Sequence, residues 1–134
     1  MAKATRKKAL SKAGRKAETS DFLTEIIIKG ILDKKGKHIV SMNLKEMHHA
    51  VSDYFIVCHG TSSTQVNAIA ESVEDEVREA IGLKPWHREG LQNSEWVLLD
   101  YVDVVVHIFQ EDTRKFYQIE NLWADAEIKV IEED

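Results

Sequence analysis

The chain has 134 residues, of which 43% are hydrophobic and 31% are charged. This length suits one compact domain with its own core, and the composition is that of a soluble globular protein. The sequence has no apolar run near the ~20 residues that cross a bilayer and no signal-peptide pattern, so we expect a cytoplasmic protein.

The charge is divided unevenly along the chain. Residues 1–20 contain seven basic residues against one acidic residue, and residues 21–134 carry a net charge of −11 because the whole chain carries −5. An acidic body is a poor general binder of nucleic acid, since the phosphate backbone repels it. The charge therefore favours a protein partner with a basic surface. We expect residues 1–20 to form a disordered, solvated basic tail.

A helical pattern begins directly after this tail. Ser20 and Asp21 are good N-cap residues. The apolar side chains that follow recur at helical spacing: Phe22, Leu23, Ile26, Ile27 and Ile31. A turn at 33–36 then leads to two predicted strands, at 38–44 and 53–59.

The longest predicted helix follows the second strand. Ser62 and Gln65 have the spacing of a capping box. The apolar residues behind them form one stripe: Val66, Ile69, Ala70, Val73, Val77, Ala80 and Ile81. Gly82 and Pro85 end the helix, and a short edge strand is expected at 85–90.

Residues 95–109 read as a hairpin of two short strands, with apolar side chains on both faces. Short helices are expected at 111–117 and 119–124, and residues 127–134 are expected to fray as an acidic tail. This order predicts an α/β fold with one domain at 21–126. Its core is a mixed sheet of about five strands with helices on both faces.

The residue types that hold metals do not form a recognisable set. His48 and His49 are adjacent, so their side chains diverge, and no HExxH or paired CxxC occurs. Cys58, the only cysteine, excludes an intramolecular disulfide and reads as a small buried hydrophobe. The sequence predicts no metal site and no cofactor.

An enzyme remains the alternative interpretation. The loop at 60–63 precedes a helix, and Asp100 and Asp103 could bind Mg²⁺ and a nucleoside triphosphate, as in a nucleotidyltransferase. The loop lacks the lysine of a P-loop, and its glycine and serine are explained by a turn and a helix cap. A turn between the two aspartates splays their side chains. No catalytic residue is predicted.

Several stretches resemble the Iojap family, the bacterial ribosomal silencing factors. They are DKKGKHIV (33–40), DYFIVCHGTSSTQVNAIA (53–70), KPWHREG (84–90) and WVLLDYVDVVVHIF, which is followed by FY and LWADA. The resemblance runs from about Leu23 to Ala126. Val102 stands where the family usually has glycine. Since a β-branched residue tolerates positive φ poorly, the turn here is expected to differ in shape from that of its relatives.

The resemblance implies a nucleotidyltransferase-like fold without catalysis. It also implies a protein that docks on the large ribosomal subunit through the fourteenth large-subunit protein. From there it would block joining of the small subunit and repress translation when nutrients are scarce. A homodimer of the free protein and a weak contact between the basic tail and ribosomal RNA are further expectations.

The candidate partner-binding residues are aromatic and acidic, and they surround the hairpin. They are Trp86, Glu89, Trp96, Leu98, Asp100, Tyr101, Asp103 and His107. Such a cluster suits an apolar partner surface with a basic margin. Tyr101 lies at the turn, where a ring is not expected to be fully buried. Trp96 suits the core and an interface equally, and Trp123 is expected in the core.

Overall fold

The structure is a computed structural model that describes residues 12–48 and 50–131, with side chains from Ser20 onward. Its elements in chain order are α1 (Lys12–Asp33), β1 (Lys37–Asn43), β2 (Tyr54–Gly60), α2 (Ser63–Ile81), β3 (His87–Glu89), β4 (Trp96–Asp100), β5 (Val104–Gln110), α3 (Glu111–Tyr117), a 3₁₀ helix (Ile119–Trp123) and β6 (Glu127–Ile131).

The strands form one six-stranded sheet in the order β3-β4-β5-β2-β1-β6. Strands β2 and β5 pair in parallel at its centre, and the other neighbouring pairs are antiparallel. The predicted α/β fold with a mixed sheet is confirmed, as are the hairpin of β4 and β5 and the edge position of β3. The sheet has one strand more than the five expected.

The additional strand, β6, lies in the segment that was expected to fray. Residues 127–131 pair with β1 in antiparallel register, with Val130 opposite Val40. The expectation of a tail is therefore wrong for these residues, while residues 132–134 lie outside the described chain. A five-residue edge strand with charged residues at alternate positions gains its stability from pairing with β1, which its own sequence does not reveal.

Two long helices cover one face of the sheet, which we call the covered face. Its core is aliphatic and includes Leu23, Ile27, Ile31, Ile69, Val73, Val97, Leu99 and Val106. Glycine at position 30 lets α1 and α2 approach closely, because a Cβ there would lie 2.9 Å from the Cα of Val73. The hydroxyl of Ser72 donates to the carbonyl of Gly30 at 2.7 Å. Glycine has a low helix propensity, which the sequence shows, but at this position it also allows the two helices to pack closely.

Helix α1 begins earlier than its sequence predicts. Ser20 and Asp21, the expected N-caps, lie inside a helix that starts at Lys12. Ser20 is buried, so the helix contacts the body at this position. Residues 12–20 are helical in the structure, in contrast to the disordered segment expected from the sequence, and residues 1–11 lie outside the described chain. With 22 residues, α1 also exceeds the 19 of α2, which was predicted to be the longest helix.

The caps of α2 follow the prediction with one change. The hydroxyl of Ser62 accepts a hydrogen bond from the Gln65 backbone at 3.1 Å. The Gln65 carboxamide oxygen accepts from the backbone of Thr61 at 2.7 Å instead of returning to Ser62. At the other end Gly82 adopts a φ of 68° and donates to the carbonyl of Arg78. A left-handed C-cap is the conformation that glycine tolerates best.

The opposite face of the sheet is covered only in part, and we call it the aromatic face. A smaller core of Met42, Leu44, Val57, Phe109 and Ile119 lies there. Trp123 of the 3₁₀ helix packs against it half-buried, with its ring 5.8 Å from that of Phe55. Trp123 thus contributes to a core, as predicted. Among the described residues, no helix is long and apolar enough to span a bilayer.

Candidate docking surface

Strand alternation gathers five of the eight candidate residues on the aromatic face. Trp96, Leu98 and Asp100 alternate along β4, so their side chains share one face of the sheet. In the register of the sheet Leu98 lies opposite Glu89 on one side and opposite His107 on the other. We call these five residues the β4 patch. Their neighbours Val97 and Leu99 enter the covered face instead, as the sequence predicts.

Trp96 is half-buried at the centre of this surface. Its ring lies 4.8 Å from that of Phe109 and 5.0 Å from that of Tyr117, measured between centroids. Its indole nitrogen Nε1 lies 3.1 Å from Nδ1 of His107. Trp96 therefore packs on the smaller core, one of the two alternatives that its sequence left open. Because the ring is only half-buried, its role at an interface stays a prediction.

His107 is the buried member of the patch and does not lie on its rim. Its side chain is only 5% exposed, and the Phe55 ring centroid lies 4.8 Å from its own. Burial lowers the pKa of the imidazole from its ordinary 6.5 to about 4, because desolvation disfavours the charged form. His107 is thus neutral at physiological pH. It supports the surface from below instead of offering a charge to a partner.

Helix α3 extends the apolar surface beyond the predicted residues. Phe116 and Tyr117 expose 79% and 52% of their surface. The rings of Phe116 and Tyr117 lie 4.9 Å apart, and Tyr117 in turn contacts Trp96. Sequence reasoning missed these residues because a seven-residue helix is too short for periodicity to separate its exposed side from its buried one.

Tyr101 does not lie on this surface. Its side chain is 5% exposed and belongs to the core of the covered face, so the expectation that its ring stays exposed is wrong. The hydroxyl has no hydrogen-bond partner among the described residues, and burial raises its pKa. Tyr101 continues the alternation of Val97 and Leu99, which places its ring on the covered face, and the backbone reverses immediately after it.

The reversal depends on Val102, which has a φ of 75°. The Asp103 N–H donates to the Tyr101 carbonyl at 2.9 Å across it, which forms a γ-turn of the rare, strained kind. The Asp100 carboxylate accepts from the Val102 N–H at 2.7 Å, and the hydroxyl of Ser52 donates to the Val102 carbonyl at 2.9 Å. The strain expected for a β-branched residue is therefore present. Whether the turn differs from that of relatives stays a prediction.

Two remaining candidates, Trp86 and Asp103, and the patch residue Glu89 lie towards the edge of the surface. Trp86 is 77% exposed just before β3, and its backbone N–H donates to the backbone carbonyl of Asp100 at 2.7 Å. Asp103 is half-buried at the turn, where its carbonyl accepts from the N–H groups of Asp53 and Tyr54. Glu89 is exposed and lies 2.6 Å from His87. The carboxylates of Glu89 and Asp100 give the surface an acidic margin.

The comparisons with known proteins identify the family. The model of the family described as "Ribosomal silencing factor during starvation" matches residues 16–134. The chain belongs to this family. The ribosomal silencing factor of Halalkalibacterium halodurans is 38% identical over 104 residues, which are 78% of this chain and 87% of that protein. The chloroplastic Iojap protein of maize is 34% identical over 76 residues, 54% of this chain and 31% of that protein.

A solved structure of a protein from Chromobacterium violaceum is similar to this chain, with a TM-score of 0.74 and 36% sequence identity. The match covers 78% of this chain and 85% of the Chromobacterium chain. The predicted resemblance to the Iojap family is confirmed. Membership in a family of silencing factors supports a regulator of translation and not an enzyme. In the described part of the chain, no group of three or more His, Cys, Asp or Glu side chains is placed to hold a metal ion.

Proposed function

We propose that the protein is a cytoplasmic silencing factor that binds the large ribosomal subunit through its fourteenth protein and sterically blocks joining of the small subunit. Translation would thereby be repressed when nutrients are limiting. The observation that carries this proposal is the family match over residues 16–134, on a chain that exposes an apolar surface with an acidic margin.

The surface has the composition of a protein interface. The half-buried Trp96 and Leu98 continue into the exposed rings of Phe116 and Tyr117. Contiguous apolar surface of this kind is uncommon on monomeric proteins unless it binds something. Aromatic residues are also the type most enriched among the residues that dominate binding energy. We therefore place the ribosomal contact on the β4 patch and its extension onto α3.

The charge of the margin suggests what the partner offers. Glu89 and Asp100 lie on the patch, and the body of the chain carries a net charge of −11 over residues 21–134. A basic rim on the partner would pair with these carboxylates and speed association. A ribosomal protein surface meets this requirement, whereas exposed RNA phosphate does not. Occlusion by a bound domain needs no catalytic group.

Sedimentation of the purified protein with isolated ribosomal subunits tests the proposal. We expect recovery with large subunits and not with small subunits or with translating ribosomes. Phe116→Ala should weaken recovery, because its exposed ring belongs to the surface. Phe22→Ala is the matched control, since that ring is 51% exposed on α1. Equal recovery with both subunits, or with neither, would remove the proposal.

Charge reversal provides a second comparison. Glu89→Lys should slow association and make it less dependent on salt, whereas Glu79→Lys on the exposed side of α2 should not. Binding to subunits that lack the fourteenth protein would contradict the named partner while leaving the large-subunit contact intact.

The proposal has two finer parts, a homodimer of the free protein and a contact of the basic tail with ribosomal RNA. A homodimer of the free protein would use the same apolar surface, so Phe116→Ala should shift it towards monomer in analytical ultracentrifugation.

The basic residues 1–20 would add a weak contact to ribosomal RNA. Deleting residues 1–11 should then reduce binding only slightly, and only at low salt, because exposed charges are screened over about 10 Å at 0.1 M ionic strength.

A further inference from the structure

We infer that His107 is a positioning residue of the docking surface: its Nδ1 accepts the Trp96 indole N–H and fixes the orientation in which Trp96 meets the partner. The inference rests on the proposed function, because it concerns the same surface. It assigns His107 a role that is distinct from contact with the partner, since the imidazole is buried beneath that surface.

The hydrogen bond determines which ring nitrogen carries the proton. An indole nitrogen can only donate, so Nδ1 of His107 must be the acceptor at 3.1 Å. A neutral imidazole then carries its proton on Nε2. The lowered pKa of His107 agrees with this neutral form, which burial favours.

The proton on Nε2 means that His107 lowers the stability of the fold at this position. Nε2 is buried and has no hydrogen-bond partner among the described residues. Its surroundings are aromatic, with the rings of Phe55 and Phe109 at 4.8 and 6.3 Å. A buried donor without an acceptor destabilises the fold, and an apolar side chain of similar volume would avoid that penalty. Packing alone therefore does not account for a histidine here.

The hydrogen bond to Trp96 accounts for a histidine at position 107. Trp96 is half-buried, and besides this bond its indole is held by packing against the rings of Phe109 and Tyr117. With the N–H bound to His107, the polar atom of the indole is satisfied inside the protein. The part of the ring that faces outward is then apolar and held in one orientation. Preorganisation of this kind raises affinity because less side-chain freedom is lost on binding.

Indole resonances in a ¹⁵N–¹H NMR spectrum test the contact without any partner. The chain has three tryptophans, so Trp86 and Trp123 serve as internal references. We expect His107→Leu to move the Nε1–H signal of Trp96 and to broaden it or speed its exchange with water. His107→Asn should keep the signal nearer its original position, because the Asn side-chain oxygen lies close to where Nδ1 was. An unmoved Trp96 signal in the leucine variant would overturn the inference.

Binding to large subunits then separates positioning from packing. His107→Leu should weaken binding about 3- to 10-fold, the range expected for one net hydrogen bond, without lowering thermal stability. His107→Asn should recover most of the loss. Equal losses in both variants would show that the imidazole acts through its shape, which would refute the inference.

A double-mutant cycle completes the test. In Trp96→Phe, which has no indole N–H, adding His107→Leu should not weaken binding further. A full additional loss would overturn the proposed coupling. Failure of the parent protein to bind large subunits would instead remove the proposed function, while the NMR result would still decide whether His107 holds Trp96.

Discussion

The two faces of the sheet differ in chemistry and in how completely they are covered. The covered face is aliphatic and lies under α1 and α2, whose 22 and 19 residues span it. The aromatic face has only the seven-residue α3 and the 3₁₀ helix over part of it. Beside a small core that is largely aliphatic, it carries tryptophan, phenylalanine, tyrosine and histidine rings. Aliphatic side chains buried by long helices stabilise the fold, whereas rings left half-covered remain available to a partner.

This division separates substitutions that should unfold the domain from those that should weaken binding. Residues of the covered face should change the free energy of unfolding and leave the affinity of the folded fraction unchanged. Exposed and half-buried residues of the aromatic face, such as Phe116 and Trp96, should weaken binding with little change in stability. The buried His107 should in addition make stability depend on pH. The predictions below test that separation, from the largest expected effect to the smallest.

The largest effect is expected from Tyr101→Ala. Its ring is buried in the covered face, so truncation should lower the free energy of unfolding by about 3–5 kcal/mol. Tyr101→Phe is the matched control and should be neutral or stabilising, because it removes a hydroxyl that has no partner among the described residues. Urea unfolding measures both. A well-folded Tyr101→Ala protein with reduced subunit binding would contradict the division.

The next largest effect is a pH dependence of the free energy of unfolding, which is caused by His107. Its folded-state pKa of about 4 lies below the ordinary value of 6.5, so the unfolded chain binds this proton more readily. The stability that the neutral imidazole contributes is present above pH 6.5 and is lost as the pH falls towards 4. The loss should reach about 3 kcal/mol, since one pKa unit corresponds to about 1.4 kcal/mol.

Unfolding of the parent and of His107→Leu at pH 7.5 and pH 4.5 isolates this contribution, because the other titrating groups are common to both proteins. The parent should lose more stability than the variant over that interval. Parallel losses would mean that His107 titrates normally, and so that it is not buried as described.

A smaller loss is expected from Gly30→Ala between the helices of the covered face. The added Cβ would lie 2.9 Å from the Cα of Val73, and backbone cannot move aside as a flexible side chain can. We expect a loss of about 1–3 kcal/mol, although alanine is the better helix former. Ser72→Ala, which removes only the hydrogen bond to Gly30, should cost less. A raised melting temperature for Gly30→Ala would show that the two helices are not in close contact.

The smallest effect is expected at the turn between β4 and β5, where Val102→Gly should stabilise the protein by up to about 1 kcal/mol. Glycine relieves the strain of a φ of 75°, and the lost side chain is 54% exposed. Greater freedom of glycine in the unfolded chain offsets part of this gain. Differential scanning calorimetry measures the change. A clear destabilisation would show that the valine side chain contributes contacts that outweigh the strain.

The hairpin, the cap of α2 and the sharing of one face by Trp96 and Leu98 could be predicted because each depends on neighbours in sequence. Strand alternation fixes which side chains share a face, and a capping box acts over three residues. The family resemblance was likewise carried by local motifs, and the match over residues 16–134 confirms it.

Tertiary structure decided the features that depend on distant partners. Strand β6 exists because β1 pairs with it, and the ring of Tyr101 is buried because α1 and α2 cover the face that it shares with Val97 and Leu99. The hydrogen bond from the Trp96 indole to His107, on which the proposed role of His107 rests, likewise depends on the pairing of β4 with β5. The sequence indicates which side chains can be buried and which can donate hydrogen bonds. Burial and hydrogen bonding themselves occur only when elements far apart in the chain come into contact.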